Sequence, residues 1–333
     1  MKIVIRAPNW LGDAVMALPA MEAVRRALPE AFVAVAALPS VSPIFEEQTG
    51  ARPDSVVTIS DRRTEIRQLR GGGFDRILLL PNSFRTAWTA RRAGIPERWG
   101  FAGNMRTPLL TKRVPLPGTV IHQSTYYLEL VRGVGIAAEE RPPTIAITPR
   151  TAARAAKLLE AAGVAATASP IVGFAPGAAY GHAKRWPPSR VMDVIVRLTR
   201  ERGATCVLLG APSDRDAGRE IESSLPSDVR AINLIGRTDL REFAGVLARC
   251  RAFVSNDSGG MHLAAALGVP VTAIFGPTDE RVTAPLGEHD VLIHQVFCRP
   301  CMLRDCPIDH RCMKGISAAS VVDAVLHRLD AHV

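Results

Sequence analysis

Short, wholly apolar, β-branched runs alternate with amphipathic stretches of helical period along this 333-residue chain. A strand that is apolar at every position, rather than every second one, needs cover on both faces. Intervening helices supply that cover, so the pattern predicts an α/β protein built on parallel sheets. Candidate strands are residues 2–6, 32–38, 56–60 and 76–81, then 171–175, 205–210, 231–235, 252–255 and 271–275. Candidate helices include 14–28, 151–163, 188–203 and 240–250. The length exceeds what one core commonly supports, so two domains of roughly 150 residues each are expected. The polar, Pro-rich segment 139–150 precedes a new helix and a fresh strand, which sets the boundary: residues 1–150 and residues 151–333. Each half restarts with a strand, a turn and a helix. The expected architecture is two Rossmann-like, doubly wound parallel-sheet domains facing a central cleft, with the last helix able to pack back on the N-terminal domain.

No apolar run approaches the length of about 20 residues that a bilayer span needs. No apolar signal segment with a small-residue cleavage site follows the first strand, so a cytoplasmic protein is expected. Lys and Arg number 41 against 32 Asp and Glu, a net charge of +9. Residues 1–150 hold 20 basic and 13 acidic residues (+7); the rest holds 21 and 19 (+2). The excess is almost all Arg, and much of it lies between Arg62 and Arg113. It reads either as a solvated surface or as a grip on an anionic partner, because Arg suits bidentate contact with phosphate and carboxylate. Nucleic acid is the weakest such partner: aromatics are only 5%, and no zinc finger, helix-turn-helix or RNA-recognition signature is present. Four of the six cysteines, Cys298, Cys301, Cys306 and Cys312, fall in one short stretch. In a reducing compartment they read as a structural metal site or as a compact loop of buried thiols, and the spacing fits no standard zinc-ribbon or ferredoxin pattern.

Three segments can carry chemistry, and each follows a strand. Ala7-Pro8-Asn9-Trp10-Leu11-Gly12-Asp13-Ala14 puts a tight turn at Gly12 and a carboxylate near a helix start. An ordinary N-cap is the bland reading of Asp13. No G-x-G-x-x-G fingerprint supports a nicotinamide cofactor here. Phe174 to Pro187 joins small residues, Ala178 and Ala179 among them, to the fixed positive charge of Lys184 and Arg185; Lys occurs only five times against 36 Arg. Ser255-Asn256-Asp257-Ser258-Gly259-Gly260-Met261-His262 ends a strand and opens a helix whose first amides can cradle a phosphate. His262 sits on the first turn, as a ligand contact or a packed core histidine. A pyrophosphate held without a Walker lysine motif or a dinucleotide fingerprint suggests a sugar nucleotide.

In this order and spacing, the segments 7–14, 176–187 and 255–262, with the cysteine-rich stretch 298–312 after Phe275-Gly276-Pro277-Thr278, resemble glycosyltransferase family 9, the bacterial lipopolysaccharide heptosyltransferases. The resemblance runs from about residue 2 to residue 329. Asn9 to Asp13 and Tyr180 to Trp186 bring it nearest to the branch that adds the second inner-core heptose. It implies a GT-B fold with acceptor on the N-terminal domain and nucleotide sugar on the C-terminal one. It also implies inverting, metal-independent transfer of heptose from ADP-L-glycero-β-D-manno-heptose to the inner-core heptose of a Kdo-lipid A acceptor. An enzyme handling that acceptor is expected in peripheral contact with the cytoplasmic face of the inner membrane. Carried onto this sequence, the family's site falls on Asp13, Lys184, Asp257, Ser258, Gly259 and His262, with adenine and ribose contacts near Asp214. Ser258 stands where the family often has Thr, and both bring a hydroxyl. Asp13 is expected as the base and Lys184 as the charge that stabilises the leaving group. Asn9, Trp10, Gly12, Arg62, Arg63 and Arg85 are expected on the acceptor. The competing readings are the first- or third-heptose branch of the same family, a nucleotide-sugar epimerase on a similar fold, and a non-catalytic binder.

Overall fold

The computed structural model describes residues 1–164 and 169–331, so the last two positions of the expected second domain lie outside the described residues. The chain divides into two compact units, Met1–Ala146 and Ile147–Val333.

The first unit runs β1 (Lys2–Arg6), α1 (Leu11–Met16), α2 (Leu18–Ala27), β2 (Phe32–Ala37), β3 (Gln48–Thr49), β4 (Ser55–Thr58), α3 (Arg62–Gly71) and β5 (Arg76–Leu79). It continues with α4 (Phe84–Arg92), β6 (Glu97–Phe101), β7 (Lys112–Val114), α5 (Gln123–Gly133) and β8 (Ile145–Ala146). Six strands form one sheet in the order β4-β2-β1-β5-β6-β7, all parallel, while β3 and β8 pair apart from it. Leaving out that side pair, the order is 3-2-1-4-5-6, that of a doubly wound dinucleotide-binding fold.

The second unit begins with α6 (Pro149–Ala161), capped by the Thr148 hydroxyl, then β9 (Ile171–Ala175), α7 (Pro188–Arg202), β10 (Thr205–Leu208), α8 (Arg215–Ser224) and β11 (Ala231–Asn233). There follow α9 (Leu240–Leu247), β12 (Ala252–Asn256), α10 (Gly259–Ala266), β13 (Val271–Phe275), α11 (Glu280–Thr283), β14 (His289–Ile293), α12 (Arg311–Lys314) and α13 (Ala318–Asp330). The sheet order β11-β10-β9-β12-β13-β14 is again 3-2-1-4-5-6 and all parallel. In each unit the first strand lies beside the fourth, and there the direction of winding reverses. Doubly wound sheets bind ligands outside the carboxyl ends of the strands at that reversal.

The apolar runs give the core. Val4, Ala34, Ala36, Ile77 and Leu79 pack under α3 and α4 in the first unit; Val172, Phe174, Leu208, Val254 and Ile274 pack under α7 and α13 in the second. Trp186 is among the largest fully buried side chains; burial of a large apolar group contributes about 1.5–3 kcal/mol.

Differences from expectation have local causes. The helix expected over residues 14–28 starts at Leu11 and breaks at Ala17, because Pro19 cannot continue the hydrogen-bond ladder. β6, β7 and β14 escape the pattern: Glu-Arg-Trp-Gly-Phe carries two charges and a glycine, and the other two are partly exposed edge strands. Within the second unit, Val321, Val322, Val325 and Leu329 of the last helix pack with α7 and the second sheet.

Candidate functional site

The loop after β1 lies at the winding reversal of the first sheet, and a buried charge fixes it. Arg6 Nε donates to Glu65 Oε1 at 2.9 Å, and its Nη2 donates to Asn9 Oδ1 at 2.8 Å. Its Nη1 donates to the Ala7 carbonyl. Both partners of the ion pair are buried; desolvation lowers the Arg6 pKa, and Glu65 opposes that. A buried pair of this kind gives little net stability, but it does specify one position for its ligands, here Asn9. Trp10 stands out into solvent at 62% exposure, and Gly12 is half-buried.

Asp13 follows on the first turn of α1, half-buried. Burial raises the pKa of its carboxyl group, and a hydrogen bond from the Tyr127 hydroxyl pulls it part of the way back. Tyr127, buried on α5, is raised well above its ordinary value by burial and by the Asp13 charge, while its bond to Gln123 works the other way. The phenol therefore keeps its proton and donates, and Asp13 accepts. A carboxylate raised toward neutrality is a better proton acceptor than an ordinary one.

Arg62 and Arg63 open α3, where the Asp61 side chain accepts from the Arg63 and Thr64 amides. Asp61 is held down at about 2, chiefly by the Thr64 hydroxyl. Arg85 follows the Ser83 cap of α4 and is close enough to lower the Arg6 pKa. Because the strands are parallel, the residues after β1, β4 and β5 share one edge. Asn9, Trp10, Gly12, Asp13, Arg62, Arg63 and Arg85 therefore all lie along the carboxyl edge of the first sheet.

In the second unit the loops after β9 and β12 flank the reversal, and Asn256 stitches them together. Its Nδ2 donates to the Pro176 and Gly177 carbonyls at 2.8 and 3.2 Å, and its Oδ1 accepts from the Trp186 amide at 3.2 Å. Lys184 Nζ donates to Asp257 Oδ2 at 2.5 Å, and the same oxygen accepts from Thr278 Oγ1 at 2.6 Å. The Lys184 ammonium also lies 4.7 Å from the Tyr180 ring centre. Asp257 thus anchors the lysine. Ser258 precedes α10 without capping it, its hydroxyl lying 3.0 Å from that of Ser255, so the glycine amides of the first turn are left to a ligand. Gly259 is partly exposed and His262 is buried. Ala178 is buried and Ala179 exposed on the neighbouring loop.

Asp214, expected near adenine and ribose, is buried with both oxygens engaged inside the chain. Oδ1 accepts from Arg185 at 3.3 Å and Oδ2 from the Ala211 amide at 3.1 Å. A Cβ on Gly177 would come within 2.1 Å of its carboxyl carbon, so the carboxylate props up the loop after β9.

The cysteine-rich segment does not gather a ligand set. Among the described residues no group of three or more His, Cys, Asp or Glu side chains is placed to hold a metal ion. Cys312 is buried on α12 near Gly276, while Cys298, Cys301 and Cys306 are partly exposed. The segment instead buttresses the loops. Arg299 donates to the Gly276 and Thr278 carbonyls at 2.6 and 3.1 Å and to Glu280 at 2.7 Å. Tyr180 donates to the Met302 carbonyl at 2.9 Å, and the Ala183 amide to that of Arg304 at 2.9 Å. Arg6, Glu65, Tyr127 and Arg299 are not singled out by the sequence, and Asn256 and Thr278 stand there within motifs without a role of their own. Of these, only Arg6, a charge inside an apolar strand, signals itself there.

The sequence model of glycosyltransferase family 9 (heptosyltransferase) matches residues 62–311. The chain belongs to that family. It is 33% identical over 299 residues to lipopolysaccharide heptosyltransferase 2 of Salmonella typhimurium, covering 86% of each chain. To lipooligosaccharide heptosyltransferase 2 of Haemophilus influenzae it is 29% identical over 316 residues, 89% of each. The solved structure of E. coli ADP-heptose lipopolysaccharide heptosyltransferase II superposes with a TM-score of 0.87 at 28% identity, covering 100% of this chain and 99% of that one. Family membership makes the chain a glycosyltransferase, and the epimerase and binder readings fall away.

Proposed function

We propose that the chain moves L-glycero-D-manno-heptose from ADP-heptose to the first inner-core heptose of Kdo-lipid A, and that Asp13 and Lys184 carry the reaction. The carrying observation is the second unit's cradle. A lysine is locked by Asp257, itself held by the Thr278 hydroxyl, beside an uncapped helix start, at the point where doubly wound sheets bind phosphates. The second-heptose branch is preferred because relatives 33% and 29% identical to the chain bear that name.

In this reading the N-terminal unit takes the acceptor and the C-terminal unit the nucleotide sugar. Asp13 removes the proton from the acceptor hydroxyl as that oxygen forms its bond to the anomeric carbon. The bond from that carbon to the β-phosphate oxygen breaks, and ADP leaves with the electron pair. Attack opposite the leaving group inverts the anomeric centre. Lys184 and the α10 amides meet the charge growing on the β-phosphate, the task a divalent cation performs in other transferases, so no metal cofactor is required; one such donor contributes about 3 kcal/mol. Exposed Ala179 and the first turn of α10 offer the closest approach to the diphosphate. Asn9, Trp10 and the arginines Arg62, Arg63 and Arg85 suit an acceptor rich in phosphate and carboxylate. No helix among the described residues is long and apolar enough to cross a membrane, and peripheral contact with the cytoplasmic face of the inner membrane would bring the enzyme to its acceptor.

The test is ADP release from ADP-heptose with Kdo-lipid A that already bears one heptose, set against the heptose-free acceptor. Release with the first, with a product heavier by one heptose, is expected. Release only with the second would move the chain to the first-heptose branch, and release with neither would overturn the proposal.

A further inference from the structure

The carboxyl edge of the first sheet continues past the candidate site as a row of exposed apolar side chains. β5 is followed by Phe84, 46% exposed; β6 by Met105, 87%; β7 by Leu116, 49%, and Val120, 80%. The three strands are parallel neighbours in that order, so their following loops emerge side by side. Contacts join them. Asn104 Nδ2 donates to the Asn82 carbonyl at 3.0 Å, and Leu116 lies against Gly103.

The Met105 turn is built in a way that needs explaining. Gly103, Asn104 and Met105 have φ of +106°, +47° and +57°, so two side-chain-bearing residues in succession adopt the left-handed region. Such conformations are unfavourable for non-glycine residues and persist where the surroundings impose them. Here the next residue imposes it. Arg106 is fully buried and donates to the Phe101 and Pro81 carbonyls and, at 3.2 Å, to Asn82 Oδ1. The base of the turn is clamped, and its tip holds a large apolar side chain in water. A solvated surface gains nothing from that arrangement, and a surface that docks on something apolar does.

The charge around the row narrows the choice of partner. Between residues 62 and 113 the chain has twelve Lys and Arg against three Asp and Glu. Exposed Arg62, Arg63 and Arg85 share the edge with the apolar row, and Asp61 is an exposed acid beside them. Apolar side chains that project singly, flanked by arginine, match a lipid bilayer whose headgroups are anionic. We infer that Phe84, Met105, Leu116 and Val120 form a membrane-docking row that seats the first unit on an anionic bilayer. The inference deepens the proposed heptose transfer, since it rests on an acceptor embedded in lipid.

The test is co-sedimentation of the full chain with mixed phosphatidylethanolamine–phosphatidylglycerol vesicles, with phosphatidylcholine vesicles for comparison. A Met105→Ser, Leu116→Ser, Val120→Ser triple variant is run beside the parent. The parent is expected to bind the anionic vesicles without any acceptor present, and the triple variant to bind roughly tenfold or more weakly. Transfer to a fully deacylated, water-soluble acceptor should be equal for both, which also shows that the variant is folded. Triple-variant binding equal to the parent's, or no parental binding to anionic vesicles, would overturn the inference. Loss of parental transfer to the soluble acceptor would instead overturn the heptose-transfer reading, and the vesicle measurement would still decide the docking row.

Discussion

At the scale of single residues, the proposed transfer turns on two charged groups held by neutral or opposite partners. Asp13→Asn removes the base and is expected to lower kcat by about 10²–10⁴-fold. Because burial raises the Asp13 pKa in the folded state, its charge opposes folding as pH rises through that raised value; below the unfolded value it has no effect. The Asn variant should therefore melt at pH 7 no lower than the parent. Tyr127→Phe removes a donor that favours the charged form, so the Asp13 pKa rises further. The acid limb of kcat/KM should move up by about one pH unit, with KM for ADP-heptose unchanged. An unmoved limb would show that Tyr127 is mere packing. Lys184→Met strands the buried Asp257 carboxylate and is expected to destabilise by about 2–4 kcal/mol as well as slow transfer. Adding Asp257→Asn should recover most of the melting temperature but leave kcat about 10²–10³-fold down. If the double variant recovered its rate as well, Lys184 would be structural only.

At the scale of elements, each candidate loop was legible wherever its own residues broke a pattern. Glycine, proline and charge following an apolar strand marked 7–14, 176–187 and 255–262, and parallel-sheet geometry made those positions strand ends. What holds the loops was not legible, because the partners come from far along the chain. Tyr127 reaches Asp13 from α5, Asn256 ties β12 to the loop after β9, and Arg299 and Arg304 reach back from the cysteine-rich segment. The cysteine spacing drew attention to thiols, while the bonds in that segment run through its arginines and its backbone. Strands β6, β7 and β14 were missed for a related reason: edge or charged strands lose the continuous apolar run that identified the others. The buttress makes a sharp prediction. A Cβ at Gly181 would meet the Arg304 carbonyl oxygen at 2.3 Å, so Gly181→Ala must push the segment away and break the Ala183 bond. A loss of roughly 1–3 kcal/mol in stability is expected, with KM for ADP-heptose rising more than kcat falls. A variant with parental KM would detach the cysteine-rich segment from donor binding.

At the scale of the whole molecule, one topology is used twice. Both units wind their strands 3-2-1-4-5-6, and in both the loops after the first and fourth strands, which flank the reversal, carry candidate residues. The units differ in charge: the basic excess lies in the first, where an anionic acceptor and an anionic surface are proposed, and the second is close to neutral. Alternating elements and a polar boundary in the sequence were enough to foresee two such units. The second unit's locked lysine, beside the uncapped start of α10, supports the central proposal: fixed protein charge stabilises the departing ADP without help from a divalent cation. The most direct measurement is the rate of heptose transfer by chelator-dialysed enzyme in EDTA, before and after adding excess Mg²⁺, for the parent and for Lys184→Met. The parental rate is expected to be unchanged by either treatment, and the Lys184→Met rate not to be restored by Mg²⁺. A parental rate lost in EDTA and recovered with Mg²⁺ would contradict the central proposal.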